Sequence, residues 1–179
     1  MFKIIGKEDR KISNWSGGVT QQLYIYPEDS EYANRDLKFR ISVATTEVES
    51  SQFTKLYDTN RVISILDGKM ELEHRGHYKK TLHKYEIDRF SGEWDTFSKG
   101  KVRDFNLMIK GTTGDFYYKE ITKDIKLDFV EESSFKFVFC ITGDIVVNKE
   151  TIKKEELIVI EKDDLHISGE GKVFYGYIK

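Results

Sequence analysis

Cysteine occurs once, at Cys140, which excludes a disulfide within the chain and any cysteine-cluster metal site. Long apolar runs are missing. Nowhere do roughly 18 apolar residues follow one another, so no segment reads as a membrane-spanning helix. The apolar stretch at the start of the chain is too short for a signal-peptide core, and Lys7, Glu8, Asp9 and Arg10 follow at once. The expectation is a cytoplasmic protein without a membrane partner. Neither sign of charge dominates: 29 Lys and Arg stand against 31 Asp and Glu, a formal net charge of −2. That balance excludes the basic field of a nucleic-acid binder and an acidic solvating tail. It is compatible with self-association, so a homodimer is among the expected partners. Helical periodicity is also missing, with no amphipathic stretch of about 12 residues or more.

What is present is strand periodicity. Hydrophobic residues make up 39% of the chain and aromatic residues 13%, enough apolar surface to offset chain entropy. Phe39, Ile41 and Val43 alternate with Arg40, Ser42 and Ala44; Phe105, Leu107 and Ile109 alternate with Asp104, Asn106 and Met108; Phe135, Phe137, Phe139 and Ile141 alternate with Lys136, Val138 and Cys140. Each is a period-two pattern in an aromatic or β-branched run. Further strands are expected at 22–26, 61–66, 69–74, 157–160 and 173–178. Glycine turns are expected at Asp67-Gly68, Gly111–Gly114, Thr142-Gly143 and Gly169–Gly171.

A faint internal repeat sharpens the pattern. Val62–Leu72 and Phe137–Val147 each read as strand, two-residue turn ending in glycine, strand. Each is followed by a charged stretch and then by Ser-Gly-Glu, at 91–93 and 168–170. The chain reads as all-β. Strand, glycine turn, strand and then a short apolar strand such as Glu156–Ile160 resembles the cupin half-barrel, so that two such units imply a cupin-type jelly roll, a compact bicupin. Residues 1–118 would form the first β-barrel unit, and 119–179 a smaller second β unit packed on it.

Cupins often hold a metal through two histidines one residue apart, a carboxylate and a distant histidine. None of the four histidines, His74, His77, His83 and His166, lies two residues from another. A strand would send His74 and His77 to opposite faces, although a turn could reunite them. They read as surface or loop histidines, and neither a metal nor a cofactor is expected. Cys140 lies inside an apolar run and reads as a small buried hydrophobe. No Gly-x-Ser-x-Gly elbow is present, so no catalytic residue is assigned.

Two features point to binding. Gly17 and Gly18, between Asn14-Trp15-Ser16 and Val19-Thr20, either form a plain loop or let a ligand approach main-chain N–H groups. The polar faces Arg40–Ser42–Ala44 and Asp104–Asn106–Met108 either meet solvent or line a barrel mouth. In the second case Arg40 pairs with a carboxylate, Ser42 and Asn106 add neutral hydrogen bonds, and Asp104 orients Arg40 or accepts from a ligand N–H. Arg61 opens the next strand and can join them.

These segments together resemble the HutD/Ves family. The matching pieces are Gly17-Gly18-Val19-Thr20, Phe39–Ala44, Ser51–Leu56 with Asn60-Arg61, Leu66-Asp67-Gly68, Phe90-Ser91-Gly92-Glu93 and Asp104–Met108. Residues 119–179 match only as a generic second β unit. Two departures mark a divergent branch: Asn14 precedes Trp15 where the family has Trp-x-Asn, and Phe39 stands where the family usually has Trp. The resemblance implies a bicupin without the usual metal ligands. It also implies a role in restraining or tuning histidine and amino-acid utilisation, with a pathway metabolite such as urocanate or a formylated glutamate derivative as effector. The candidate ligand-binding set is Gly17, Gly18, Thr20, Arg40, Ser42, Arg61, Asp104, Asn106 and Met108. The alternatives are a metal-free cupin isomerase or hydrolase using Asp104 as acid/base, and a partner-binding protein whose polar faces meet solvent.

Overall fold

The structure is a computed structural model that describes residues 2–127, 133–161 and 164–179. Among the described residues the strands form three antiparallel sheets, and the one helical element is a single 3₁₀ turn at Tyr32–Asn34. No helix among the described residues is long and apolar enough to cross a membrane.

Residues Lys11–Gly111 form one compact unit, and Met1–Arg10 with Thr112–Lys179 form the other. This differs from a division after residue 118. That cut would fall inside the strand Gly114–Ile121, which pairs along its whole length with Gly171–Ile178. The first ten residues contribute the strand Phe2–Ile5 to the second unit, where it pairs with Leu157–Ile160. Backbone pairing between chain-distant segments decides this boundary, and a linear cut cannot express it.

In the Lys11–Gly111 unit the larger sheet runs in the order Lys11–Trp15, Gly18–Tyr26, Phe39–Thr46, Val102–Lys110, Thr59–Gly68, Ile87–Ser91. The smaller runs Ser50–Gln52, Thr96–Lys99, Met70–His74, Tyr78–Leu82. Ile63, Ile65, Phe90 and Val102 of the larger sheet pack with Met70, Leu72 and Leu82 of the smaller one. That shared apolar layer makes a two-sheet jelly roll. In the register of the larger sheet Arg40 lies opposite Met108, Ser42 opposite Asn106 and Ala44 opposite Asp104. Arg61, Ile63 and Ile65 lie opposite Met108, Asn106 and Asp104 on the next strand. Cross-strand partners share a face, so the polar faces and the Ile63–Ile65 core face are one surface. Its Ile63–Ile65 part is filled with apolar side chains, and the rest carries the polar set.

In the other unit, Phe135–Val147 and Leu165–Ile178 pair almost end to end, flanked by Leu157–Glu161 and Gly114–Ile121. Val138, Cys140, Ile145, Val147, Ile158, Ile167 and Val173 form its core. Cys140 is fully buried there, as a small hydrophobe, and burial pushes its thiol up to about 11.

Neither expected glycine hairpin reverses the chain into a paired strand: Gly68 ends Thr59–Gly68, which does not pair with Met70–His74, and Gly143 lies within Phe135–Val147. Thr59–Gly68 pairs with Val102–Lys110, skipping Leu66 in the register, and reaches Gly68 at φ +84°. Phe135–Val147 pairs with Leu165–Ile178, skipping Ile141, and passes Gly143 at φ +93°. In both copies a bulged apolar residue precedes, by two positions, a glycine in a conformation other residues rarely take. The repeat therefore encodes a strand that turns a corner. The Ser-Gly-Glu echoes differ: Ser91 ends a strand, whereas Ser168-Gly169-Glu170 lies inside Leu165–Ile178, as does Gly169–Gly171, expected to be a turn.

Candidate functional site

The polar surface of the larger sheet borders a cavity of about 330 Å³ within the Lys11–Gly111 unit. Thr20, Arg40, Ser42, Arg61, Asp104, Asn106 and Met108 all line it. Gly17 and Gly18 do not. Gly18 sits at φ +154°, and a side chain there would lie 1.9 Å from the Thr45 carbonyl oxygen. A side chain on Gly17 would lie 2.0 Å from the Trp15 ring. The glycines thus allow a tight strand approach that carries Asn14 and Trp15 to the cavity wall, and the walls hold side chains rather than a backbone nest.

The polar residues are buried, which removes the reading in which they meet solvent. Arg40 is 4% exposed, Arg61 7%, Asp104 3% and Asn106 5%. Arg61 Nη2 donates to Asn106 Oδ1 at 3.2 Å, and Asn106 Nδ2 donates to Asp104 Oδ1. The Arg61 guanidinium stands over the Phe53 ring, 4.6 Å from its centroid, while its Nε is buried with no hydrogen-bond partner. Arg40 Nε donates to Gln22 Oε1 at 2.8 Å, and its guanidinium lies 4.2 Å from the Tyr32 ring centroid.

Two guanidiniums therefore share one desolvated space with a single carboxylate. Burial, with the Arg61 charge adding to it against Tyr32, pulls Arg40 down to about 10. Burial also lowers Arg61, opposed by Tyr32 and Asp104. Burial raises Asp104 to about 7, despite the opposing pull of Arg61 and the Asn106 hydrogen bond. Water is a poor substitute for an anion in such a space, because a buried cation without a counter-charge is costly.

The histidine expectation needs correction for His74. Its ring is 1% exposed, with Nε2 2.9 Å from Asp88 Oδ2 and Nδ1 2.8 Å from Thr96 Oγ1. Tyr78 and Lys80 also reach Asp88. Burial and then the Asp88 charge push the Tyr78 phenol above its ordinary range. His77, His83 and His166 are exposed as expected. The turn after His74 brings His77 onto Trp94, with ring centroids 3.8 Å apart, while His74 meets the same indole edge-on at 5.5 Å. Both nitrogens of His74 are engaged inside a packed sheet, so the network holds the smaller sheet to Ile87–Ser91.

Sequence reasoning missed Gln22, Tyr32 and Phe53. Tyr32 lies in a charged loop and Gln22 in a polar pair, where no pattern separates them from surface residues. Phe53 fell inside a matching family segment, which was a usable signal.

The HutD family model matches residues 7–175. The chain belongs to the HutD family. No curated protein matches it. Among solved structures, HutD from Pseudomonas fluorescens SBW25, in a formate condition, is 18% identical with a TM-score of 0.81 over 100% of both chains. A conserved protein of unknown function from Pseudomonas aeruginosa PAO1 is 18% identical, with a TM-score of 0.82 over 100% of this chain and 98% of that one. A bacterial pirin from Escherichia coli, in complex with nickel(II), is 11% identical, with a TM-score of 0.71 over 99% and 98%. These likenesses show the fold, a cupin-type jelly roll. A divalent cation does not fit the cavity of this HutD protein. Its charged lining is two guanidiniums and one carboxylate. Among the described residues no group of three His, Cys, Asp or Glu is placed to hold a metal.

Proposed function

We propose that this HutD protein is a cytoplasmic binding protein that senses a small carboxylate metabolite in the Arg40–Arg61 cavity and so modulates histidine or amino-acid utilisation. The observation that carries the reading is the buried, unpartnered Nε of Arg61 beside a carboxylate raised to about 7. The cavity holds more positive than negative charge, and a carboxylate supplies what is missing. A guanidinium fork matches its two oxygens. Ser42 and Asn106 add neutral hydrogen bonds, and Trp15, Phe53 and Met108 contact the apolar part of the ligand. The partner is a small molecule, with urocanate and formylated glutamate derivatives as the first compounds to try. Nucleic acid and membrane are not among the partners, and a homodimer is compatible with the low net charge.

A thermal-shift screen of carboxylates, including histidine-pathway metabolites, tests this. A ligand at 100 times its Kd stabilises by about 2.7 kcal/mol. No shift with any carboxylate overturns the reading.

A second reading, a metal-free isomerase or hydrolase, is favoured by Asp104. A carboxyl group near 7 suits a general acid or base. Turnover of a screening hit by purified protein, lost in Asp104→Asn, separates enzyme from sensor.

A further inference from the structure

A second, smaller chamber of about 180 Å³ lies in the same unit, lined by Arg35, Lys55, Lys110, Tyr57 and Thr59 among others. Tyr32 and Met108 line both this chamber and the main cavity, so they form the shared wall. The smaller chamber has three cationic side chains and no acidic one in its lining.

Its cations are positioned by neutral groups for the most part. Arg35 Nη1 donates to the Tyr32 carbonyl oxygen at 2.6 Å, and Lys110 Nζ donates to the Arg35 carbonyl oxygen at 2.7 Å. Among the described residues, Lys55 alone of the three meets a carboxylate, Asp95 at 3.6 Å, in an exposed pair of little energetic weight. Arg35 and Arg40 both lie against the Tyr32 ring, 3.9 and 4.2 Å from its centroid. Arg40 faces the main cavity and Arg35 the smaller chamber, so one aromatic ring joins the cations of the two sites.

We infer that the ligand is a dianion, a flexible dicarboxylic acid whose first carboxylate sits between Arg40 and Arg61 and whose second enters the Arg35–Lys55–Lys110 chamber past Tyr32. This rests on the carboxylate reading above and deepens it. Rotation of Tyr32 and the unbranched Met108 opens the wall without moving a strand, since Tyr32 sits in a loop turn. The second chamber selects by charge: a ligand with a neutral far end leaves its three cations unmatched.

Isothermal titration with succinate, glutarate and adipate, each beside its own monomethyl ester, reads this directly. The ester keeps the length and removes one charge. The expected result is that the best-fitting diacid binds at least tenfold tighter than its ester. Lys110→Met and Lys55→Met should each reduce that ratio severalfold and leave ester affinity within about twofold, whereas Lys110→Arg should keep the ratio. Equal binding of diacid and ester by the wild-type protein overturns the dianion inference while the carboxylate reading stands. A preserved ratio in both methionine variants overturns the placement of the second site. Absence of binding by every acid and ester overturns the dianion inference, and the carboxylate reading is then decided by the thermal-shift screen.

Discussion

Arg61 reaches across the strand interface to Asn106, its Nη2 donating to Oδ1 at 3.2 Å, while its Nε points into buried space without a partner. The same side chain is therefore half satisfied by the fold and half left for something else. Replacing Arg61 with Met should raise the stability of the free protein by about 1 kcal/mol or more, because a buried cation is exchanged for an apolar side chain of similar reach. Carboxylate binding should be lost in the same variant. Chemical denaturation and ligand titration check the two halves, and a clear loss of stability would show that Arg61 is structural.

Arg40→Ala should remove one charge-assisted contact to the ligand, on the order of 1.5–3 kcal/mol, or roughly ten- to a hundred-fold in affinity. Its effect on the melting temperature should be smaller, since Gln22 is the hydrogen-bonding partner it leaves behind. Titration with the best hit of the thermal-shift screen is the measurement. Unchanged affinity in a folded variant places the site elsewhere.

Asp104 should make both stability and binding depend on pH. Its carboxyl is raised from 3.8 to about 7 by burial, so between these values the folded state holds a proton that the unfolded chain has lost. Stability from this group is fully present below about 4 and declines as pH rises towards and through 7. Ionised Asp104 also competes with an anionic ligand, so affinity should fall between pH 6 and 8. Asp104→Asn should flatten both dependences. A steep residual dependence in that variant would assign the effect to another group.

His74→Ala should cost on the order of 3 kcal/mol, since it opens a cavity and removes the His74 contacts of Asp88 Oδ2 and Thr96 Oγ1 in a buried setting. Ligand affinity should be unchanged because His74 does not line the cavity. Urea unfolding with parallel titration distinguishes this from a catalytic role, which would abolish any turnover before it altered stability.

Gly18→Ala and Gly76→Ala separate close approach from backbone strain. Both glycines have positive φ, but a side chain at Gly18 meets the Thr45 carbonyl oxygen at 1.9 Å, and one at Gly76 meets nothing within 4 Å. Gly76→Ala should cost about 1–2 kcal/mol from conformation alone. Gly18→Ala should cost clearly more and weaken ligand binding through Trp15. Equal losses would remove the packing role given to Gly18.

The all-β class, the strongly alternating strands such as Phe39–Thr46, Val102–Lys110 and Phe135–Val147, and the burial of Cys140 were legible in the sequence because period-two alternation reports directly on strand geometry, whereas short or polar strands such as Lys11–Trp15, Tyr78–Leu82 and Thr96–Lys99 were not. Arg40, Ser42, Asp104 and Asn106 were legible as a set, since each belongs to the polar half of an alternating strand. Register was not. Alternation says which residues share a face within one strand, but the pairing that places Ser42 opposite Asn106 and Arg61 opposite Met108 is a contact between distant segments. Gly68 and Gly143 read as hairpin turns because a glycine between two strand-like runs signals a reversal. Whether the chain reverses or bends depends on what pairs beyond the glycine: past Gly143 the strand stays paired with Leu165–Ile178, and past Gly68 the chain enters the other sheet.

The sequence by itself determined strand content, the likeness to HutD and the presence of two half-polar strands. Tertiary structure alone decided that those polar halves face a cavity, because burial is set by what the other sheet leaves unfilled. It also decided the partners of that cavity. Tyr32 and Gln22 come from irregular or polar stretches with no periodic signal, and His74 is buried only because Asp88 and Thr96 arrive from later strands to satisfy both its nitrogens. A side chain's hydrogen-bond partners are fixed by three-dimensional proximity, and one-dimensional spacing carries no record of it.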